Sequence, residues 1–398
     1  MLKRLSRGLR RKNSVMNKTI QLIHVAIFFL LLLPVGEAFS WTDDLERDFF
    51  EETRRLEKEY KDFEKEAYEE LRREVKSMWC DFITSTRKDW VEYSEDKTGR
   101  SRVDFKTGEV QVEVLVPVDR SVVDPGLIKR RLTNEIERIV VDRGKRSDFP
   151  AKRESPPLLP YAALAGQLED KHGNLVSQEN KKQFAQEVLE TKPIERTILN
   201  TEKGRTAKAR ISFSLVPDHI RIRAAKYIEP VRKYSSRFKI QTPLVFAVIH
   251  TESYFNPKAT SSVPAFGLMQ LVPESGGRDA YRYVYGHDRL LPRDYLYDPE
   301  NNIELGCAYL GLLKNRYFRE IQEKRSALYC VIASYNTGAG NLSRSLCGNR
   351  QVRCAVEKAN RMNADELFEH LTAHLPYEET RDYLKKVSER MSLYREWE

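Results

Sequence analysis

From Trp41 to Trp79 the apolar residues Leu45, Phe49, Leu56, Tyr60, Phe63, Ala67, Leu71, Val75 and Met78 recur every three, four or seven positions in an otherwise charged stretch. That period predicts one long amphipathic helix, its apolar stripe docking on its own domain rather than on a partner helix. The period then changes to two in VDFKTGEVQVEVLV, where Val110, Val112, Val114 and Val116 share a face and Thr107-Gly108 supplies a turn. A hairpin is expected there. Helical spacing returns in IKRRLTNEIERIVV (128–141), and the basic, proline-rich RGKRSDFPAKRESPPLLP reads as a loop. Beyond it a strand is expected near 162–168, a helix near 179–189, and an alternating strand in ARISFSLV at 209–216.

Pro217 marks a change of class, because from Asp218 the pattern is almost entirely helical: RIRAAKYIEPVRKYSSRF, TPLVFAVIHTE, NNIELGCAYLGLLKNRYF, SALYCVIASYN and YEETRDYLKKVSERMSLY. The expected architecture is an α+β domain over 41–216 followed by an all-α domain over 217–398.

Residues 1–40 stand apart from both. Seven Lys and Arg residues flank or precede the uncharged run Val25–Leu33, and small residues at Gly36, Ala38 and Ser40 suit cleavage, the pattern of a secretory signal. The run is too short for the roughly 20 apolar residues that span a bilayer, although an uncleaved tether is the alternative. MNKTIQLIHVAIFF already makes a complete signal, so Met16 competes with Met1 as the start. Without residues 1–40 the formal charge of +9 falls to about +3, so the basic balance gives no reason to expect nucleic acid as a partner. The expected location is the periplasm or cell envelope, with the mature chain soluble or peripheral to the membrane.

Export also bears on the five cysteines. In an oxidising compartment CGNRQVRC suits a disulfide between Cys347 and Cys354 across a short polar loop, whereas Cys307 and Cys330 fall in apolar helical patterns and read as core. His370 and His374 stand four apart in EHLTAH, but Leu371 replaces the glutamate of a metalloprotease helix and no third ligand is evident. No metal is expected. STRK at 85–88 and KTG at 106–108 are too close together to frame a penicillin-recognising site. No phosphate loop or dinucleotide fingerprint occurs, and no cofactor is expected.

The chemistry concentrates in TPLVFAVIHTESYFNPKATSSVPAFGLMQ (242–270). Thr242 suits an N-cap and Pro243 the first helical position, and the apolar run then ends on Glu252. A carboxylate beside apolar surface and at the negative end of a helix dipole has a raised pKa. That costs stability, yet a carboxyl protonated near neutrality is what general acid catalysis requires.

Glu252-Ser253-Tyr254-Phe255-Asn256-Pro257, then Ser261 and Gly267-Leu268-Met269-Gln270, resemble the acid-bearing block of the lytic transglycosylase family of goose-type lysozyme-like fold. Three further blocks follow in that family's order: Asp298-Pro299 with Asn302, Ile303, Gly306, Tyr309 and Leu310; Ala333-Ser334-Tyr335-Asn336-Thr337-Gly338; and Pro376-Tyr377-Glu378-Glu379-Thr380-Arg381 with Tyr383. Upstream, the helix ending near Trp79, the VDFKTGEVQVEV hairpin and ISFSLVPDHIRIRAAKY resemble the N-terminal domain of the membrane-bound C-type murein transglycosylases. Two departures stand out. No lipid-acceptor cysteine follows the signal, and Pro264 replaces a frequent glycine in the loop carrying Ser261.

The resemblance implies a lysozyme-like catalytic domain acting on peptidoglycan glycan strands, with Glu252 as acid and then base and a 1,6-anhydromuramyl end as product. It implies substrate binding by Ser261, Met269, Gln270, Tyr335 and Asn336. Glu379 and Tyr377 support the site, with Glu379 bonding Tyr335 or Tyr377. A hydrolase of the same fold would need a second carboxylate, for which Glu274, Asp279 and Asp298 are candidates. A non-catalytic glycan-binding envelope protein is the alternative from another class.

Overall fold

The computed structural model describes residues 35–119, 122–144 and 158–398. Most of the expected signal and of the proline-rich loop therefore lies outside the described residues, as do the side chains of Leu45, Phe49 and Tyr60. The described residues up to Tyr68 belong to one compact unit and those from Glu69 to a second.

Helix α1 runs Val35–Trp79. Within the second unit its last turns dock as the stripe predicts: Val75 and Trp79 pack with Leu115, joined by Leu71, Met78, Phe82, Tyr93 and Leu199. Farther up the helix, in the first unit, Leu56 and Phe63 are exposed. Among the described residues no helix is long and apolar enough to cross a membrane.

Strands β1 (Asp89–Tyr93), β2 (Gly99–Asp104) and β3 (Glu109–Pro117) lead to α2 (Pro125–Val140) and α3 (Lys181–Thr191), then to β4 (Glu195–Thr201) and β5 (Gly204–Ser214). The five strands form an antiparallel sheet in the order β1-β2-β3-β5-β4. Val110, Val112 and Val114 lie opposite Phe213, Ile211 and Ala209, so the period-two face is a buried one. Ile128, Leu132, Ile136 and Ile139 of α2 join the same core. On the opposite face Arg100 pairs across the ladder with Glu113, bonds Asp81 at 2.7 Å, and lies over the Trp79 ring.

The strand expected at 162–168 is instead a run of turns. Ala165 N–H bonds Ala162 O and Gln167 N–H bonds Leu164 O, and Gly166 has φ +76. AALAG offers small residues and a glycine, which favour a compact turn over a pleated strand.

From α4 the chain is helical: α4 (His219–Ala225), α5 (Ile228–Phe238), α6 (Thr242–Ser253), α7 (Gly276–Tyr285), α8 (Arg293–Tyr297), α9 (Pro299–Leu312), α10 (Lys324–Thr337), α11 (Ala339–Cys347), α12 (Val352–Ala359), α13 (Ala364–His374) and α14 (Glu378–Arg390), closed by a 3-10 turn over Met391–Trp397. Cys347 and Cys354 are joined by a disulfide between α11 and α12, while Cys307 and Cys330 are buried free thiols.

Sheet and helices meet through buried polar contacts. Arg223 of α4 donates to Phe105 O (2.6 Å), Gln167 Oε1 (2.6 Å) and Tyr254 O (3.2 Å), tying the β2–β3 turn to the residue two beyond Glu252. Lys258 Nζ reaches Glu92 Oε1 of β1 at 2.8 Å, and both side chains are almost wholly buried. Asn256 Nδ2 donates to the carbonyls of Thr86 (3.3 Å) and Asp89 (3.2 Å).

Candidate active site

Leu244, Val245, Phe246, Ala247, Val248 and Ile249 are apolar on every side of α6, and all are buried. A helix apolar all round belongs in the middle of a domain. Phe246 packs edge-on against Trp397 at 4.7 Å and stacks on Tyr394. At its start the expected cap differs: Gln241 occupies the cap position, and the Thr242 hydroxyl bonds Ser235 at 3.0 Å instead. At its end Tyr254 (φ 51) and Phe255 (φ 63) both adopt the left-handed region, turning the chain sharply away.

Glu252 lies in that last turn and is only 4% exposed. Burial pushes its pKa from 4.5 up to about 7. The Arg87 guanidinium and the Tyr383 hydroxyl pull it down, and Glu379 adds to the rise. The Tyr383 hydroxyl is buried without a partner at ordinary hydrogen-bond distance, so its contact with Glu252 is a long one. Nearby His250 is no proton carrier at neutrality, since burial pushes its pKa down to about 3 and its Nδ1 bonds Tyr394 at 2.9 Å.

The segment Gly267–Gln270 is pressed onto α9. Gly267 has φ +78, and a Cβ there would meet Leu296 O at 2.2 Å. A Cβ on Gly306 would meet Met269 Sδ at 2.1 Å. Between them Asn302, wholly buried, donates to Phe266 O (2.9 Å) and Leu296 O (2.7 Å) and accepts from Met269 N–H (2.7 Å). The Asn302 and Gly306 of the second block therefore hold the GLMQ segment of the first.

This placement shows how two expected site residues are held and corrects the bonding expected of a third. Met269 has no exposed surface: its side chain packs on Gly306, and its carbonyl accepts from the Tyr335 hydroxyl at 2.9 Å. Gln270 is buried with φ 48, and its Nε2 donates to Ala259 O and Gly267 O, both at 3.0 Å, which closes the loop from inside. Glu379 bonds neither Tyr335 nor Tyr377 but Arg87, at 2.6 Å.

The other site residues fall as follows. Tyr335 is buried, its hydroxyl committed to Met269 O. Asn336 next to it accepts the Thr380 hydroxyl on Oδ1 at 2.7 Å, which leaves its NH2 as the remaining donor. Ser261 is half-buried, and its hydroxyl donates to Val263 O and accepts from Ala265 N–H, bridging the exposed Pro264. Tyr377 is exposed at the start of α14, where its carbonyl accepts from the Thr380 and Arg381 amides.

Of the candidate second carboxylates, Asp298 caps α9 by accepting from the amides of Glu300 and Asn301. Asp279 lies in the first turn of α7. Among the described residues no cluster of three or more His, Cys, Asp or Glu is placed to hold a metal ion, and the His370 and His374 rings simply stack.

Two members of the site escaped the sequence reading. Tyr383 stands inside the fourth block, where the resemblance gives it no role. Arg87 lies in STRK, a stretch considered only as a penicillin-recognising motif.

A carboxyl with a raised folded pKa binds its proton more tightly in the folded state, so stability falls as pH rises from about 4.5 to 7 and stays lower above. The loss above pH 7 is of order 3 kcal/mol. Glu252→Gln is therefore expected to raise unfolding free energy at pH 8 and change it little at pH 4, as urea denaturation at the two pH values would measure.

Residues 229–353 match the family model described as Transglycosylase SLT domain, and residues 52–226 match that of the Membrane-bound lytic murein transglycosylase C, N-terminal domain. The fold is thus a sheet-bearing α+β half followed by a helical, lysozyme-like lytic transglycosylase domain. The membrane-bound lytic murein transglycosylase C of Mannheimia succiniciproducens is 32% identical over 316 residues, covering 79% of this chain and 84% of the relative. That of Pectobacterium atrosepticum is 32% identical over 324 residues, covering 81% and 87%. Among solved structures, the 70 kDa soluble lytic transglycosylase SLT70 from Escherichia coli aligns at 27% identity over 43% of this chain and 24% of that one, with a TM-score of 0.33. The chain belongs to the membrane-bound lytic murein transglycosylase C family. The relatives' names are those of enzymes of murein and are consistent with a location in the cell envelope.

Proposed function

We propose that this protein cleaves the β-1,4 bond between N-acetylmuramic acid and N-acetylglucosamine in murein without consuming water, leaving a 1,6-anhydromuramyl end. One observation carries the reading: Glu252 is a buried carboxyl with a pKa of about 7, and the carboxylate that acts on it, Glu379, is engaged by Arg87. Hydrolysis by the usual route needs two carboxyl groups, one of them to activate water or to attack C1. A single acid suits intramolecular closure.

In the first step Glu252 gives its proton to the glycosidic oxygen, the C1–O bond breaks, and N-acetylglucosamine leaves with a free 4-hydroxyl. In the second the Glu252 carboxylate takes the proton of the muramyl C6 hydroxyl, whose oxygen closes onto C1. Glu252 ends protonated, as it began. The positive charge developing at C1 is met by the substrate's own acetamido group, held by the Asn336 NH2 that Thr380 leaves as a donor. Ser261 and Gln270 act on the glycan through the shape of the loop they close.

Export through residues 1–40 would deliver the protein to that substrate in the envelope, where a peripheral membrane association would suit the relatives' names. Digestion of purified sacculi, followed by mass spectrometry of the released muropeptides, tests the reaction. Muramyl ends one water lighter than reducing ends are expected. Reducing ends alone would mean a hydrolase, and intact sacculi would favour a glycan-binding scaffold.

A further inference from the structure

Arg87 belongs to the loop between α1 and β1, in the sheet half of the protein, yet its charge acts on the acid of the helical half. Hydrogen bonds hold that loop from two sides. Thr86 Oγ1 donates to Asp89 Oδ2 (2.6 Å) and accepts from Asp89 N–H (3.1 Å), and Thr86 N–H bonds Asp89 O (3.0 Å). From the other side Asn256 Nδ2 bonds the carbonyls of Thr86 and Asp89, and Thr260 N–H bonds Thr86 O at 3.4 Å. Residues four and eight beyond Glu252 thus clamp the arginine's loop to the acid's own loop. Arg87 then ion-pairs with Glu379 of α14 at 2.6 Å, its charge acting on both Glu252 and Glu379.

We propose that Arg87 is a positioning residue of the reaction proposed above: it stabilises the carboxylate that Glu252 becomes once its proton has gone to the leaving oxygen, so that cleavage needs the sheet half docked. The chemistry demands such a group. A buried carboxylate without a cation is costly, and that cost would fall on the step that breaks the glycosidic bond. A free arginine would be equally wrong, because it would strip the proton from Glu252 before substrate arrived. Glu379 balances Arg87 in the resting state, and the pair leaves the acid protonated near neutrality but able to ionise. The groups facing Glu252 are Arg87 from the sheet half, Tyr383 and Glu379 from α14, and Tyr335 from α10.

The two partners of the ion pair make opposite predictions, which a merely structural role would not. In full-length protein acting on soluble uncrosslinked glycan strands, Arg87→Met is expected to move the alkaline limb of kcat/KM up by about one pH unit. It should also lower kcat roughly 10- to 100-fold with little change in KM. Arg87→Lys should restore both in large part, and Glu379→Gln should move the limb down. Limbs that stay at the wild-type pH in Arg87→Met and Glu379→Gln, or that move in the same direction, would overturn the proposal. Should Arg87→Met fail to fold by circular dichroism, the limb of Glu379→Gln decides alone. Loss of activity in Glu252→Gln beside an unmoved limb in these variants would spare the acid assignment and sink only the role of Arg87. Activity retained in Glu252→Gln would sink both.

Discussion

Glu252→Gln is expected to lower the rate of murein cleavage by at least 10³-fold without loss of fold. The amide is nearly the same size and fills the same buried end of α6, so packing on its neighbours survives. What it cannot do is release a proton to the leaving oxygen or recover one from the C6 hydroxyl. General acid or base catalysis by one group contributes roughly 10²- to 10⁴-fold, and here one side chain serves both steps. The same variant should be more stable than the wild type above pH 7, since it removes a buried carboxyl that ionises there only at a cost. Inactive and stabilised together is a signature that general damage to the fold would not give. Release of muropeptides from sacculi and urea denaturation, run on one preparation, measure both halves of it.

Lys258→Met is expected to cost about 3–5 kcal/mol of stability. Lys258 and Glu92 face each other at 2.8 Å with almost no exposed side-chain surface, and the Trp90 indole N–H also reaches Glu92 Oε1 at 3.2 Å. Removing the lysine takes away the cation opposite a buried carboxylate, and with it a large part of what offsets the desolvation of that charge. Lys258→Met combined with Glu92→Gln removes both charges and should recover most of the loss, because an apolar or neutral pair fills such a space at little cost. Chemical denaturation of the two variants and of Glu92→Gln alone completes the cycle. Lys258 lies in the loop that follows Glu252, so a lower kcat is also expected in the single variant and a partial recovery in the double.

These residues show how far the pattern of the chain reveals the molecule. The valines of β3 and the isoleucines of α2 announce themselves because one face is buried, and a buried face imposes its period on the sequence. Strand β4 is exposed at nearly every position, including Ile198, so nothing in ERTILNT alternates and no strand is expected there. The raised pKa of Glu252 was legible because a carboxyl after a wholly apolar helix is a local conflict between burial and charge. The burial of Met269 and Gln270 was not legible, for the converse reason. Sequence reports that a polar group follows an apolar run, not whether it faces a cleft or the carbonyls of its own loop. Arg87 left no trace at all, since it sits in an aperiodic polar loop and meets Glu379 across 292 positions of chain.

Isotope labelling tests the central claim most directly. Sacculi digested by the wild-type protein in water enriched in oxygen-18 are expected to yield muramyl ends that are anhydro and carry no label, because O6 of the substrate replaces the leaving oxygen at C1. Reducing muramyl ends carrying one oxygen-18 atom, formed by the wild type and lost in Glu252→Gln, would contradict the account and make this site a hydrolase.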